Sequence, residues 1–463
     1  MNEALFAEGD IVTATGSDDA LVKDFSKTNN QVAGIEEMDT ILTDGDYLYI
    51  TSYNRFVIVD ALSLAIVYDF AEEGLSFSGF YLYEDAVVLI ASYYHYSLVN
   101  DSLVNDQETD RGYYPFYYYN YGSKVFVFDI SDKAEIKISR ELEFDSTYIN
   151  SSRMIDGYLY LVMNKYTSYD YQSDSASVPE YKDSLISEDK QKLTIDQIYF
   201  MPNDLESMSY LMLASFKVDL EEPLSIKAYL GSHSQLFMSE NNLFVTVSRY
   251  LYDNLNWHYS IKTFIMRFEL IDHELVYQAM GEVKGNPLDQ FAMDEYEGIF
   301  RIAITDVNFK GGMLDYNNEL HLFDATTTGS MKKISKLTGL GKPGERIYAV
   351  RYTGETAYIV TFAQTDPLYK IDLTNPKKPR VVGELFEEGV SDYLHPITEN
   401  LLLGVGRQAE ENTYGNTVFT GVKIALYDSS KAEVETIETY FVPGDSSYSM
   451  ANYNHKYFIH FTP

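Results

Sequence analysis

The chain has 463 residues and no cysteine, which excludes disulfides and thiolate metal sites. Basic residues are scarce: 35 Lys and Arg stand against 70 Asp and Glu, a formal net charge of −35. A field of that sign repels phosphate backbones and anionic bilayers, so nucleic-acid binding is excluded and attraction to an anionic membrane disfavoured. It suits cations, neutral glycans, basic partners, or simply solubility. No apolar run approaches the ~18 residues of a membrane span. The opening MNEALFAEGDIV lacks the basic and apolar regions of an export leader. Histidine is sparse, with eight residues and no HxH or HExxH spacing. There is no phosphate-binding GxxxxGK[ST] loop and no GxSxG elbow in a plausible triad order. DVNFKGGMLDYNNE, from Asp306, has acidic and amide groups but not the spacing of a helix-loop-helix calcium site.

Tyrosine is abundant, with 42 residues against one Trp. It favours half-buried strands, and with 45% hydrophobic residues the chain can build a large β core.

One pattern recurs along the chain: a tight polar turn followed by an alternating apolar strand. The units are TDGDYLYITS from Thr43, YEDAVVLIAS from Tyr83, IDGYLYLVMN from Ile155 and SENNLFVTVS from Ser239. They continue as DEYEGIFRIAIT from Asp294, TGETAYIVTF from Thr353, TENLLLGVGR from Thr398 and NHKYFIHFTP from Asn454. Asp-Gly, Asn-Asn and Gly-Glu tolerate the positive φ of hairpin turns. A second hairpin follows most units, as in RFVIVDALSLAIVYDF and YKIDLTNPKKPRVVGEL. Its first strand often ends in Asp (Asp60, Asp129, Asp219, Asp324, Asp372), a residue that accepts backbone N–H bonds in the turn that follows.

Two hairpins make a four-stranded antiparallel blade, which must pack face to face against its neighbours. The fold class expected is all-β, a β-propeller, with eight blades preferred and seven the alternative. The eighth inner hairpin has no outer hairpin after it. Residues 1–36 are the expected ring-closing extension, with EGDIVTATG as their strand, and residues 37–463 the propeller.

Two insertions stand out, at 94–122 and 166–208. The first contains Tyr113, Tyr114, Phe116, Tyr117, Tyr118, Tyr119 and Tyr121. Flat rings with polar rims suit a protein or glycan partner, or a flap packed on its own propeller. Both insertions follow the second strand of their blade, so they are expected on one face, side by side on blades 2 and 3. A polar constellation also recurs at the expected inner strands: Asp294, Glu295, Arg301, Arg346, Arg351, Asp366, Asp392 and His395. Arg–carboxylate pairs between blades are the reading preferred over a catalytic centre. No catalytic residue is assigned. No cofactor is required, and a Ca²⁺ site assembled from separate loops is compatible with the carboxylate content. The sequence carries no signal of oligomeric state.

FSKTNNQVAGIEEMDTILTDGDYLYI, SSRMIDGYLYLV, GSHSQLFMSENNLFV and GEVKGNPLDQFAMDEYEGIFRIAIT resemble, in order, stretches of the secreted bacterial and archaeal β-propeller domain family, distant kin of WD-repeat propellers. GERIYAVRYTGETAYIVTFAQTDPLYKIDL, VSDYLHPITENLLLGVG, TGVKIALYDSS and SYSMANYNHKYF continue the resemblance, which runs from about Phe25 onward. It implies export and surface exposure and brings no established activity. Members carry a leader and continue past the position of Phe461 with further strands, so the resemblance implies a trimmed form here. The function expected is an extracellular or cell-surface binding or scaffolding module. A structural subunit of an envelope or filament comes second, and a glycan- or peptide-processing hydrolase third.

Overall fold

The computed structural model describes residues 28–98, 117–166, 169–170, 175–176, 178–199, 209–231, 235–253, 258–310, 313–362, 366–413, 417–444 and 447–460. No α-helix occurs among them. Besides a two-stranded ribbon of Tyr169–Asp170 with Ser175–Ala176, the described strands form seven sheets, each built on four antiparallel strands in chain order. Blade 1 comprises Ile41–Thr43, Tyr47–Ser52, Arg55–Asp60 and Ile66–Phe70. Blade 2 comprises Leu75–Tyr83, Ala86–Leu98, Tyr117–Asp129 and Lys137–Asp145. Blade 3 comprises Thr147–Ile155, Tyr158–Tyr166, Ser209–Lys217 and Ser225–Leu230. Blade 4 comprises Gln235–Met238, Asn242–Asp253, His258–Ile271 and Glu274–Lys284. Blade 5 comprises Met293–Tyr296, Ile299–Lys310, Met313–Asp324 and Lys332–Leu340. Blade 6 comprises Arg346–Thr353, Thr356–Phe362, Asp366–Asp372 and Arg380–Glu387. Blade 7 comprises Val390–Thr398, Leu401–Glu411, Thr417–Asp428 and Glu435–Pro443.

The turn chemistry explains the inner hairpins. Asp156 and Gly157 sit at φ 48° and 76°, and Glu297 and Gly298 at 50° and 74°, the paired left-handed geometry of a two-residue hairpin. The carboxylates of Asp60, Asp129, Asp324 and Asp372 accept N–H bonds from Ser63, Ser131, Thr326 and Thr374, so these four cap the turns that follow them.

The core is the stack of blade faces. Separate apolar clusters join blade 1 to 2, 2 to 3, 3 to 4, 4 to 5, 5 to 6 and 6 to 7. Rings interlock across them, with Phe56 at 5.3 Å from Phe80 and Phe244 at 4.1 Å from Phe300. The second strands are more buried than the first in blades 1, 3 and 6, and the fourth strand of blade 7 is exposed at every position.

Among the described residues seven blades are formed, so the preferred count of eight is corrected. The described part of NHKYFIHFTP, residues 454–460, enters no sheet. It forms a 3₁₀ turn at His455–Tyr457. EGDIVTATG lies outside the described residues. Residues 28–40 run along the inner strands: Glu36 bridges Met154 of blade 3 and Asp39 bridges Phe80 of blade 2. The Gln31 side chain donates to the Gln290 and Met293 carbonyls beside blade 5, and Asn29 donates to the Tyr393 hydroxyl of blade 7.

The 166–208 insertion is partly a clamp. Glu180–Asp183 and Ser187–Lys192 extend the outer edge of blade 2, and Ile198–Tyr199 pairs in parallel with the fourth strand of blade 3. The Asp183 carboxylate, fully buried, receives both arms of the Arg140 guanidinium at 3.0 and 2.6 Å. Edge strands expose unpaired N–H and C=O groups, and this hairpin covers one such edge.

Candidate functional site

The polar constellation divides into separate pairs. Asp294 and Arg301 face each other on neighbouring strands of blade 5, and Arg301 Nε donates to Asp294 at 2.8 Å. Its Nη1 reaches the Gly354 carbonyl of blade 6 at 2.6 Å, and the guanidinium lies between the rings of Tyr296 and Tyr352. Burial pushes the Asp294 carboxyl up, against the pull of Arg301. Glu295 reaches back to blade 4, accepting from Ser239 Oγ at 2.5 Å and Asn242 Nδ2 at 3.0 Å. Asp392 takes a two-armed bond from Arg407 within blade 7, at 2.8 and 2.7 Å. Arg351 is buried over the Phe291 ring at 4.6 Å. His395 Nδ1 lies 3.1 Å from the Tyr393 hydroxyl, and burial, with Arg351 and His460 nearby, pushes the ring down to about 4. Arg346 is exposed and stacks on Tyr348. The Asp366 side chain lies outside the described residues. Asp294, Arg301, Glu295, Asp392 and Arg407 therefore join strands and blades.

The axis holds a second polar group with no motif in the sequence. Glu37 accepts from the Gln31 amide at 2.9 Å, lies 2.9 Å from His455 Nε2, and stands 3.8 Å from Arg153. Burial works to raise the Glu37 carboxyl, but Arg153 and His455 outweigh it and hold it far below the usual carboxylate range. A cavity of 240 Å³ adjoins this group, lined by Asp289, Gln290, Asp392, Asn452 and His455 among others. Burial pushes Asp289 up to about 6, against N–H bonds from Ala292 and Phe291. Among the described residues no group of three or more His, Asp or Glu is placed to hold a metal ion. No helix among them is long and apolar enough to cross a membrane.

The roots of the two insertions meet. Tyr121, at the end of the aromatic run, stacks on Tyr148 at 4.9 Å and 18°, and Tyr148 stands edge-on to Tyr166 at 6.5 Å. Tyr94 is paired across the hairpin with Tyr121. Four strands from two blades thus place tyrosines on one face, where the second strands end. Tyr148 is 38% exposed and Tyr166 55%. Partial burial, then the neighbouring phenols, push Tyr121 and Tyr148 above the usual phenol range.

Beneath the platform, the Tyr93 hydroxyl donates to Asp145 at 2.7 Å, and Lys190 of the clamp hairpin reaches Asp145 at 2.5 Å. Gly122 makes this approach fit: a Cβ there would lie 2.4 Å from the Phe144 carbonyl and 2.5 Å from the Tyr93 hydroxyl. Tyr113, Tyr114 and Phe116 lie outside the described residues. Tyr117, Tyr118 and Tyr119 extend the third strand of blade 2. Tyr94, Tyr148 and Tyr166 were not singled out in the sequence; their only signal is an aromatic at a strand end beside an insertion.

A family model described as a beta propeller domain matches residues 25–462. The chain belongs to this family. An uncharacterized protein of Methanocaldococcus jannaschii, MJ1554, is 28% identical over 95% of this chain and 74% of its own length. An uncharacterized protein of Archaeoglobus fulgidus is 27% identical over 88% of this chain and 69% of its own. Among solved structures, Hsv2 of Kluyveromyces lactis is similar at 7% identity, covering 86% of this chain and 96% of that one, with a TM-score of 0.38. The computationally designed Ika8 protein covers 90% and 92% at 9% identity, with a TM-score of 0.37. Scores that low carry no weight, and the propeller assignment stands on the sheet topology and the family match. A propeller is a fold of the binding or scaffolding kind.

Proposed function

We propose that this propeller is an extracellular or cell-surface binding module that recognises a protein or glycan partner through the tyrosine platform of blades 2 and 3. The carrying observation is the contacting set of half-buried Tyr121 and exposed Tyr148 and Tyr166, drawn from three strands of two blades. Rings held in register offer apolar contact area at little entropic cost, and their hydroxyls give a polar rim. The platform rests on a rigid base, since Tyr93, Asp145 and Lys190 are bonded beneath it. The acidic surface steers association toward neutral or basic partners. The resemblance to secreted propellers supports the extracellular setting. The test is a glycan array and a peptide array probed with the full chain, each repeated with Tyr121, Tyr148 and Tyr166 changed together to Ala. Signals that the triple variant loses support the reading. Signals that persist in the folded variant refute the platform.

A further inference from the structure

The 240 Å³ axial cavity is walled by the first strands of blades 4, 6 and 7, by the turn entering blade 5 and by residues 451–455. Most of its polar groups are engaged with one another. Asp392 takes both arms of Arg407, and the Asn452 amide donates to it at 3.1 Å. The Gln290 amide and His455 Nε2 are held by Glu37. Two acceptors in the wall stand apart. Asn452 Oδ1 is buried and has no partner among the described residues. The Asp289 carboxylate accepts N–H bonds from Ala292 and Phe291, while His455 and Arg351 act on it through space. No ion pair ties it among the described residues.

A buried carboxylate without a cation and a buried carbonyl without a donor are both costly. One ligand relieves both only if it carries positive charge and N–H groups. An anion would meet like charge. A hydroxyl compound satisfies the carbonyl and leaves the carboxylate uncompensated. A metal ion lacks ligands here, since among the described residues no group of three or more His, Asp or Glu could hold one. An ammonium, with three donors and a full charge, answers both needs. Burial raises the Asp289 carboxyl to about 6, and a cation bound beside it would favour its charged form. The rest of the wall suits an alkyl stem, with Phe291, Val350 and Leu394 offering apolar surface. The volume fits a stem of a few carbons, being below the roughly 300 Å³ at which pockets for drug-sized ligands begin. Arg351 lies over the Phe291 ring at 4.6 Å and is not a wall residue. The net charge of −35 draws cations toward the molecule.

We propose that the axial cavity is a binding site for a primary alkylammonium group, its nitrogen donating to Asp289 and to Asn452 Oδ1 and its stem lying against Phe291 and Leu394. The group belongs either to a free small amine or to a lysine side chain of a partner. The site is separate from the tyrosine platform and does not rest on it. Calorimetry at about pH 7.5, where the Asp289 carboxylate and the amines are both charged, titrates the full chain with four probes. These are cadaverine, Nα-acetyl-lysine methylamide, tetramethylammonium and 1,5-pentanediol. Binding of cadaverine alone supports the site with a free amine as its ligand. Binding of the lysine derivative as well supports it with a partner's side chain. Tetramethylammonium has the charge but no N–H, and the diol has donors but no charge, so each should bind about tenfold or more weakly than cadaverine. Asp289→Asn, which keeps an oxygen for the turn, should weaken cadaverine by a similar factor. The Tyr121→Ala, Tyr148→Ala, Tyr166→Ala triple variant should bind it as wild type does. A wild-type crystal soaked in cadaverine needs no variant: the nitrogen should lie within hydrogen-bond distance of Asp289 and Asn452. Water alone in the cavity, no binding of either amine, a diol that binds as well as cadaverine, or equal affinity in a folded Asp289→Asn variant would each overturn the proposal.

Discussion

His455 Nε2 lies 2.9 Å from a carboxylate oxygen of Glu37, joining two residues 418 positions apart. Around that contact, Lys456 bonds Thr28 and Asn30, and Asn29 donates to the His455 carbonyl. Residues 28–40 and 447–460 thus hold each other against the inner strands.

The Glu37 carboxylate is buried, so removing it leaves Arg153 without its counter-charge and His455 Nε2 without its partner. Glu37→Ala is expected to cost about 2–4 kcal/mol, as for a broken buried pair. Glu37→Gln, which keeps one acceptor, should cost less. Because the folded pKa of Glu37 is depressed, its contribution is present above the unfolded value of 4.5 and is lost as pH falls below it. Denaturant midpoints for the three proteins between about pH 7 and about pH 2 check both points. Equal midpoints for wild type and Glu37→Ala at pH 7 would contradict the account.

Arg301 joins blades 5 and 6 through Asp294 and the Gly354 carbonyl. Arg301→Met should destabilise by roughly 2–4 kcal/mol, because Asp294 is left buried without its cation. The added substitution Asp294→Asn should return part of that loss. A double variant no more stable than Arg301→Met would show that the cost is lost packing against Tyr296 and Tyr352.

His321 is buried, with Nε2 at 2.7 Å from Glu319, and burial, aided by Lys333, pushes the ring down to about 4. The unfolded chain takes up that proton near pH 6.5. Stability is therefore lost as pH falls from about 6.5 toward 4, by up to about 2–3 kcal/mol. Asp289, raised to about 6, works in the opposite sense between pH 6 and 4. Comparing wild type with His321→Gln isolates the histidine: the variant should show a shallower loss on acidification. Parallel curves would contradict the assignment.

Gly122 stands where a Cβ would meet the Phe144 carbonyl and the Tyr93 hydroxyl. Gly122→Ala should cost about 1–3 kcal/mol by overpacking. It should also displace Tyr121 from Tyr148, visible as a change in near-ultraviolet tyrosine dichroism. An unaltered spectrum would place the strain elsewhere.

The blades were legible because their hairpin signals are local. Asp156-Gly157 and Glu297-Gly298 announce their turns, and period-two strands beside them fix which side chains face a neighbour. The blade count was not, because the alternating apolar pattern of NHKYFIHFTP reads as a strand while its described part turns at His455–Tyr457. Asp294 and Arg301 were singled out, but as a pair between blades; they lie opposite each other on neighbouring strands of blade 5. Glu37 with His455 was not, because only ring curvature brings the termini together. Tyr148 and Tyr166 lie at ordinary strand ends, and their juxtaposition with Tyr121 depends on how blade 2 packs on blade 3.

The most direct measurement is the binding of an array-identified glycan or peptide, by titration calorimetry, to wild type and to the Tyr121→Ala, Tyr148→Ala, Tyr166→Ala triple variant. Aromatic anchors dominate contacts of this kind. The account predicts at least a tenfold weaker Kd for the triple variant, with thermal stability little changed. Equal affinity in a folded variant, or weaker affinity only in step with a large fall in Tm, would contradict it.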